Sequence, residues 1–351
     1  MGKRNVGYDF IRIFAIFLVV VIHANVAYLG KNQGQAGWYA VMLFTSLCLV
    51  AVPLFFMVSG ALLLDTEKVL PLKTLFKKRI LKQAVPFIIW SLIYVVARIV
   101  MKKTPLSITA FTDLLHEPAY YQFWFMYSLL AIYLLLPVLQ AVVLKLEKKH
   151  LEYVLILWLI FSTAFPVMQK FIPGFAVSGH VDLILCEGYV GYFLLGYYLK
   201  KYHSELSWKK GLRLSLIGIG CTGVLSVVEY LVCVNAETSY QGYFYQAYLT
   251  PFVVFSATGL FLLFQNLPWT QKEKPCKLLG AGSVLTMGVY YVHMLVITAL
   301  EYVGLMGDAS ILLLIVKIFL AYGVSLGIAF VISKIPYVRM VLMGIGEKHE
   351  N

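Results

Sequence analysis

The chain has 351 residues, of which 61% are hydrophobic and 13% charged, and its mean hydropathy is +0.82. A soluble domain of this composition would leave much apolar surface in water, so lipid is the expected solvent for most of the chain. The formal net charge of +12 lies in short clusters between long apolar runs, which favours a membrane protein over a nucleic-acid-binding protein. The five cysteines form no CxxC pair, so no zinc or other metal site is expected.

Ten segments are apolar over the roughly 20 residues that a transmembrane helix needs. In chain order they are 8–29, 38–64, 80–101, 121–144, 151–169, 181–199, 211–234, 243–266, 282–305 and 310–333. They predict an all-α bundle of about ten transmembrane helices that forms one membrane-embedded domain over residues 1–351. The second segment contains Pro53 and Gly60, so we expect it to kink or tilt. The first segment has no small-residue cleavage site near its end, and we interpret it as a retained helix rather than a signal peptide.

The lysines and arginines between these segments predict the orientation. With the N-terminus inside, 22 of them fall in inner segments and only 4 in outer loops. Because inner loops carry the excess of positive charge, both termini are expected in the cytoplasm. The predicted location is therefore the bacterial cytoplasmic membrane, crossed many times.

The first segment carries the most informative polar residues. Arg12 and His23 are eleven positions apart, which is three helical turns plus about 20°, so both point from one face about 16 Å apart along the axis. Asp9 lies three residues before Arg12 and can pair with it. A charge inside the bilayer costs about 2.5–3.5 kcal/mol, so each such residue calls for a structural or functional explanation. The alternative is that Arg12 reaches the cytoplasmic surface and His23 is a hydrogen-bonded residue of the bundle.

Further polar residues lie mostly toward the predicted outer half of the spans: Arg98, Asp182, Glu187, Glu229, Glu301 and Lys317. Trp124 and Tyr127 begin the fourth span on that side. These groups predict an acceptor pocket for a sugar, formed by Trp124, Tyr127, Glu187 and His293. The alternative for each is interhelical pairing or an interfacial aromatic belt. For His293, a structural hydrogen bond between helices is the alternative to a role in the site.

Arg12 and His23, with ten residues between them, resemble the signature of the acyltransferase-3 family of integral membrane acyltransferases. The resemblance continues in order along nearly the whole chain, at 52–64 (VPLFFMVSGALLL), 77–94 (KKRILKQAVPFIIWSLIY), 123–139 (FWFMYSLLAIYLLLPVL), 191–199 (GYFLLGYYL) and 289–294 (VYYVHM). One departure is Lys82, which stands where such proteins usually have arginine. Lysine keeps the positive charge but loses bidentate phosphate binding.

The resemblance implies transfer of an acyl group, usually acetyl, from cytoplasmic acyl-CoA to a hydroxyl or amine of an extracytoplasmic glycan or lipid-linked sugar. It implies that Arg12, Arg79 and Lys82 bind the phosphates of acetyl-CoA, a cosubstrate that is not permanently bound. His23 would be the general base, and an acyl-histidine intermediate remains open. Ordinary positive-inside charge is the alternative for Arg79 and Lys82.

Two other functions suit the same pattern of intramembrane charges. One is a transporter for a small polar solute, and the other is a non-enzymatic membrane subunit of envelope assembly. The sequence shows no fused extracytoplasmic domain. We therefore expect the helices either to complete the transfer themselves or to pass the acyl group to a separate extracytoplasmic transferase.

Overall fold

The computed structural model describes residues 5–102, 117–172, 174–175, 188–244, 246–268 and 276–346, and within these ranges it contains helices and no strands. The α-helices are α1 Val6–Lys31, α2 Ala36–Cys48, α3 Ala51–Leu63, α4 Leu72–Leu75, α5 Leu81–Lys102, α6 Trp124–Lys145, α7 Lys148–Trp158, α8 Phe165–Phe171, α9 Val190–His203, α10 Trp208–Asn235, α11 Pro251–Gln265, α12 Cys276–Tyr302, α13 Ile311–Lys334 and α14 Pro336–Met343. Short π-helical segments join α4 to α5 (Phe76–Ile80) and α7 to α8 (Leu159–Ala164), and the 3₁₀ turn Tyr121–Phe123 leads into α6.

The all-α, multi-pass architecture predicted from the sequence is confirmed. Eight helical stretches among the described residues are long and apolar enough to cross a membrane. The predicted spans 181–199 and 243–266 correspond to shorter helices, α9 with 14 residues and α11 with 15. Residues 181–187 of the first of these lie outside the described residues. The predicted count of about ten is thus roughly consistent with the structure.

The second predicted span is interrupted rather than continuous. Its two halves, α2 and α3, are separated by a turn at Leu49 and Val50. Pro53 follows four residues after Leu49 and has no N–H to donate to the Leu49 carbonyl. The interruption therefore has a local cause in the sequence, as expected for a proline in this span.

Two glycines bring α3 and α9 into backbone contact. A Cβ added to Gly60 would overlap the carbonyl oxygen of Phe193, and a Cβ added to Gly196 would overlap that of Met57. Small residues at such crossings allow helix backbones in a membrane to approach closely. The crossing holds α3 in place, and Val52 and Phe55 of α3 lie against His23 of α1 in the cavity described below.

Helix α1 lies in the middle of the bundle, in contact with α2, α3, α11, α12 and α13. A buried lysine ties its C-terminal half to two neighbours. Lys317 is fully buried, and its Nζ donates to Glu301 Oε1 at 2.6 Å, to the Met306 carbonyl at 2.8 Å and to the Ala24 carbonyl at 3.5 Å. Because a buried ammonium needs such partners, Glu301 and Lys317 serve as an interhelical pair. The pair fixes α1 at the residue next to His23.

Candidate active site

The site centres on two histidines from helices that are distant in sequence. His23 of α1 is half-buried, and His293 of α12 is fully buried. His23 Nδ1 lies 2.7 Å from His293 Nε2, and the ring planes differ by only 17°. The structure thus brings together two residues that the sequence analysis selected separately.

The backbone of α12 determines which nitrogens carry protons. His293 Nδ1 lies 2.7 Å from the Tyr290 carbonyl and 3.1 Å from the Val289 carbonyl. A carbonyl oxygen only accepts hydrogen bonds, so His293 carries its proton on Nδ1 and its Nε2 is an acceptor when the ring is neutral. His23 must then donate from Nδ1. The Nε2 atom of a neutral His23 is therefore left with a lone pair, as a general base requires.

A small cavity lies against His23. Its volume is about 20 Å³, which is the size that holds a single water molecule. The lining residues are Val19, Ile22, His23, Val52, Phe55, Gln122, Trp124, Phe125, Tyr248 and Tyr290. The Tyr121 ring meets the His23 ring edge to face, with centroids 5.2 Å apart. The lining is thus mostly aromatic and apolar, with the imidazole of His23 and a few other polar side chains among it, a composition typical of ligand sites.

The four residues predicted to bind the acceptor lie in different places. Trp124 lines the cavity and packs against the rings of Tyr189 and Tyr248, with centroids 5.1 and 5.6 Å away. Tyr127 packs edge to face on Phe87 and is not among the lining residues of this cavity. His293 contacts His23 instead of lining the cavity. Glu187 lies outside the described residues.

The three predicted phosphate ligands come from α1 and from the region where α5 begins. Arg12 Nη1 is 3.9 Å from Asp9 Oδ1, and about a third of the Arg12 side chain is exposed. Arg12 and Arg79, which precedes α5, both lie within electrostatic range of the Tyr133 hydroxyl in α6. These two arginines therefore face one region although 67 positions separate them. Lys82 is exposed on the first turn of α5 and lies near Gly346.

Three lining residues with polar groups were not selected from the sequence: Gln122, Tyr248 and Tyr290. Tyr290 precedes His293 by three positions, and such residues share a helix face. This spacing in the sequence could have identified Tyr290 as a neighbour of the site. Gln122 lies at the start of the fourth predicted span, where no helical period relates it to His23, so only the three-dimensional structure shows that both line one cavity. Among the described residues, no three His, Cys, Asp or Glu side chains come together as a metal site.

The fold and site are those of a multi-pass membrane protein in which two helices form a histidine pair, with His23 of that pair lining a cavity. A family model described as an acyltransferase domain matches residues 5–334. This match covers nearly the whole chain, so the protein belongs to the acyltransferase-3 family of membrane acyltransferases, as its sequence motifs indicated. No curated protein and no solved structure matches the chain significantly.

Proposed function

We propose that the protein transfers an acyl group, in the first place acetyl, from cytoplasmic acyl-CoA to a hydroxyl of an extracytoplasmic envelope glycan or lipid-linked sugar. Family membership supports the transferase class. The single observation that carries the proposed mechanism is the hydrogen bond between His23 and His293, because it leaves His23 Nε2 as a base. The expected location is the bacterial cytoplasmic membrane.

In the proposed reaction, His23 Nε2 removes the proton of the acceptor hydroxyl while the hydroxyl oxygen attacks the thioester carbon. The same nitrogen then returns the proton to the departing CoA sulfur. His293 accepts the Nδ1–H bond throughout, so it orients His23 and stabilises the imidazolium form. His293 is one of the residues predicted to form the acceptor pocket, and we assign it the role of positioning His23 there. An acyl-histidine route would use the same Nε2 atom as a nucleophile.

The donor part of the proposal places the phosphates of acyl-CoA on Arg12, Arg79 and Lys82. It is supported by the position of both arginines within electrostatic range of Tyr133. It is also supported by the calculated separation of about 16 Å between Arg12 and His23, which is of the order of the pantetheine arm. Lys82 would contribute a point charge rather than a bidentate contact.

The acceptor part of the proposal assigns the sugar to the outer side of His23. Trp124 offers an aromatic face there, a surface on which a sugar ring can stack. Tyr127 and Glu187 remain predicted acceptor contacts. The helices either release the acylated glycan directly or pass the group to a separate extracytoplasmic transferase.

Mass spectrometry of envelope polysaccharides and lipids tests the proposal. Cells with the wild-type protein are compared with cells that lack it and with cells that carry His23→Gln. The expected result is a glycan or lipid-linked sugar that loses the mass of one acetyl group in both altered strains. Unchanged glycans and lipids, together with solute uptake that needs no acyl-CoA, would favour the transporter function instead.

A further inference from the structure

Gln122 lies in the 3₁₀ turn before α6 and lines the same cavity as His23. Its side chain is 2% exposed, and neither its amide nitrogen nor its carbonyl oxygen has a hydrogen-bond partner among the described residues. The Tyr94 hydroxyl is near enough to the Gln122 side chain for a weak polar interaction, but the two do not meet hydrogen-bond geometry, and this hydroxyl donates to the Tyr291 carbonyl at 2.8 Å. Buried polar groups without partners lower stability and are uncommon, so this amide calls for a functional explanation.

The backbone of Gln122 is held by the same residue that orients the histidines. The Tyr290 hydroxyl donates to the Gln122 carbonyl at 2.8 Å, while the Tyr290 carbonyl accepts from His293 Nδ1 at 2.7 Å. His293 in turn accepts from His23. One tyrosine of α12 therefore holds both the base and the backbone of the residue that carries the free amide. Such a fixed arrangement is what electrostatic stabilisation of a transition state requires.

We propose that Gln122 stabilises the oxyanion of the acyl-transfer reaction, an inference that rests on the proposed function. The acceptor oxygen forms a bond to the thioester carbon, and its proton passes to His23 Nε2. The electron pair of the carbonyl π bond moves onto the thioester oxygen, which accepts a hydrogen bond from Gln122 Nε2. The oxyanion then reforms the carbonyl, the C–S bond breaks, and the CoA sulfur takes the proton from His23.

The unpaired state of the amide suits this role. A donor already bonded to protein would have to exchange partners as the negative charge forms, whereas the Gln122 amide is available without such rearrangement. Tyr290 also lines the cavity, but its hydroxyl proton is used in holding Gln122. The rival role for Gln122 is contact with the acceptor sugar, and the two roles predict different kinetics.

The test measures CoA release from acetyl-CoA by the full-length protein in nanodiscs, with and without an added envelope glycan fraction. Gln122→Met should lower kcat about 100- to 1,000-fold, the usual effect of losing one oxyanion donor. Acetyl-CoA binding should stay unchanged. The loss should appear in slow hydrolysis as well as in glycan-dependent release, because both reactions pass through the same oxyanion.

Gln265→Met is the matched control. Gln265 is also a buried glutamine with an unpaired carbonyl oxygen, but it lies at the end of α11 and does not line the cavity. The Gln265→Met variant should keep nearly the wild-type rate. Gln122→His, which retains a ring N–H, should recover part of the activity lost in Gln122→Met.

The possible results separate this inference from the proposed function. No CoA release by the wild-type protein would overturn the proposed acyl transfer itself. Normal wild-type release with a near-normal rate in Gln122→Met overturns only the role of Gln122. A loss confined to the glycan-dependent rate also overturns it and assigns Gln122 to acceptor binding. If Gln122→Met does not fold, Gln122→Asn is measured instead. Its side chain is one methylene shorter, so its amide is withdrawn from the oxyanion and the rate should fall. A full rate in that variant overturns the inference.

Discussion

His293 Nε2 accepts a hydrogen bond from His23 Nδ1 over 2.7 Å, and the Tyr290 carbonyl fixes the direction of that bond. His23 therefore has one free basic nitrogen. We predict that His23→Gln gives a folded protein that still binds acyl-CoA but transfers acyl groups at least about 100-fold more slowly, since general-base catalysis contributes that much or more. Turnover by the purified variant, with acyl-CoA binding measured on the same sample, checks the prediction. A near-wild-type rate would exclude the histidine mechanism.

His293 gives a second prediction because its role is to accept a hydrogen bond. His293→Gln offers a side-chain oxygen to His23 Nδ1, whereas His293→Leu offers none. We expect the Leu variant to have a kcat at least about fivefold lower than the Gln variant, since one neutral hydrogen bond is worth about 1 kcal/mol net. The KM for acyl-CoA should be similar in both. The steady-state pH profile is the further readout, because the Leu variant should show a shifted acidic limb, where protonation of His23 removes the base. Equal kcat values and equal profiles would mean that His293 has only a packing role.

The histidine pair also shows what the sequence can and cannot predict. Arg12 and His23 belong to one helix, so the period of 3.6 residues places them on one face without further information. His23 and His293 are 270 positions apart, and no helical period relates them. Their contact depends on how α1 packs against α12. The sequence therefore predicts each histidine as polar and intramembrane, while the proton arrangement requires the structure.

The same limit applies to the spans. Long apolar helices such as α1 and α13 follow from hydropathy alone. The helices α9 and α11 are shorter than a full span, and α2 ends and α3 begins at a turn shortly before Pro53. Tyr127 illustrates the difficulty at the site: three residues after Trp124 it is expected on the same face of α6, yet it packs against Phe87 and is not among the residues that line the cavity.

The donor site gives a third prediction. Arg12→Gln and Arg79→Gln should each weaken binding of acetyl-CoA and of free CoA, because each removes a charge from the region that both arginines face. Arg213→Gln is the matched control, since Arg213 is an exposed arginine on the predicted cytoplasmic end of α10. Binding is measured in low and high salt. Equal CoA affinity in all three variants and the wild type would contradict the assignment.

The crossing of α3 and α9 gives a fourth prediction, about stability. Gly60→Ala and Gly196→Ala should each destabilise the protein by about 1–3 kcal/mol, the usual effect of overpacking, because the added Cβ meets backbone that cannot move aside. Gly220→Ala in α10 is the control, as nothing lies within 4 Å of its Cβ position. Thermal unfolding in detergent, followed by size-exclusion chromatography, measures the difference. A Gly60→Ala protein as stable as Gly220→Ala would show that the two helices are not held in this contact.

The fifth prediction concerns orientation, on which the direction of transfer depends. The split of 22 inner and 4 outer basic residues predicts that both termini face the cytoplasm. Gln33, after α1, should then be outside, and Glu67, after α3, should be inside; both are exposed. In a variant without native cysteines, a thiol reagent that cannot cross the membrane should label Gln33→Cys in intact cells and label Glu67→Cys only after the cells are opened. Acyl-CoA is a cytoplasmic metabolite, so this result would place Arg12 on the donor side and His23 nearer the acceptor. The reverse labelling pattern would put the predicted CoA-binding arginines on the wrong side of the membrane, and the proposed direction of acyl transfer would then be wrong.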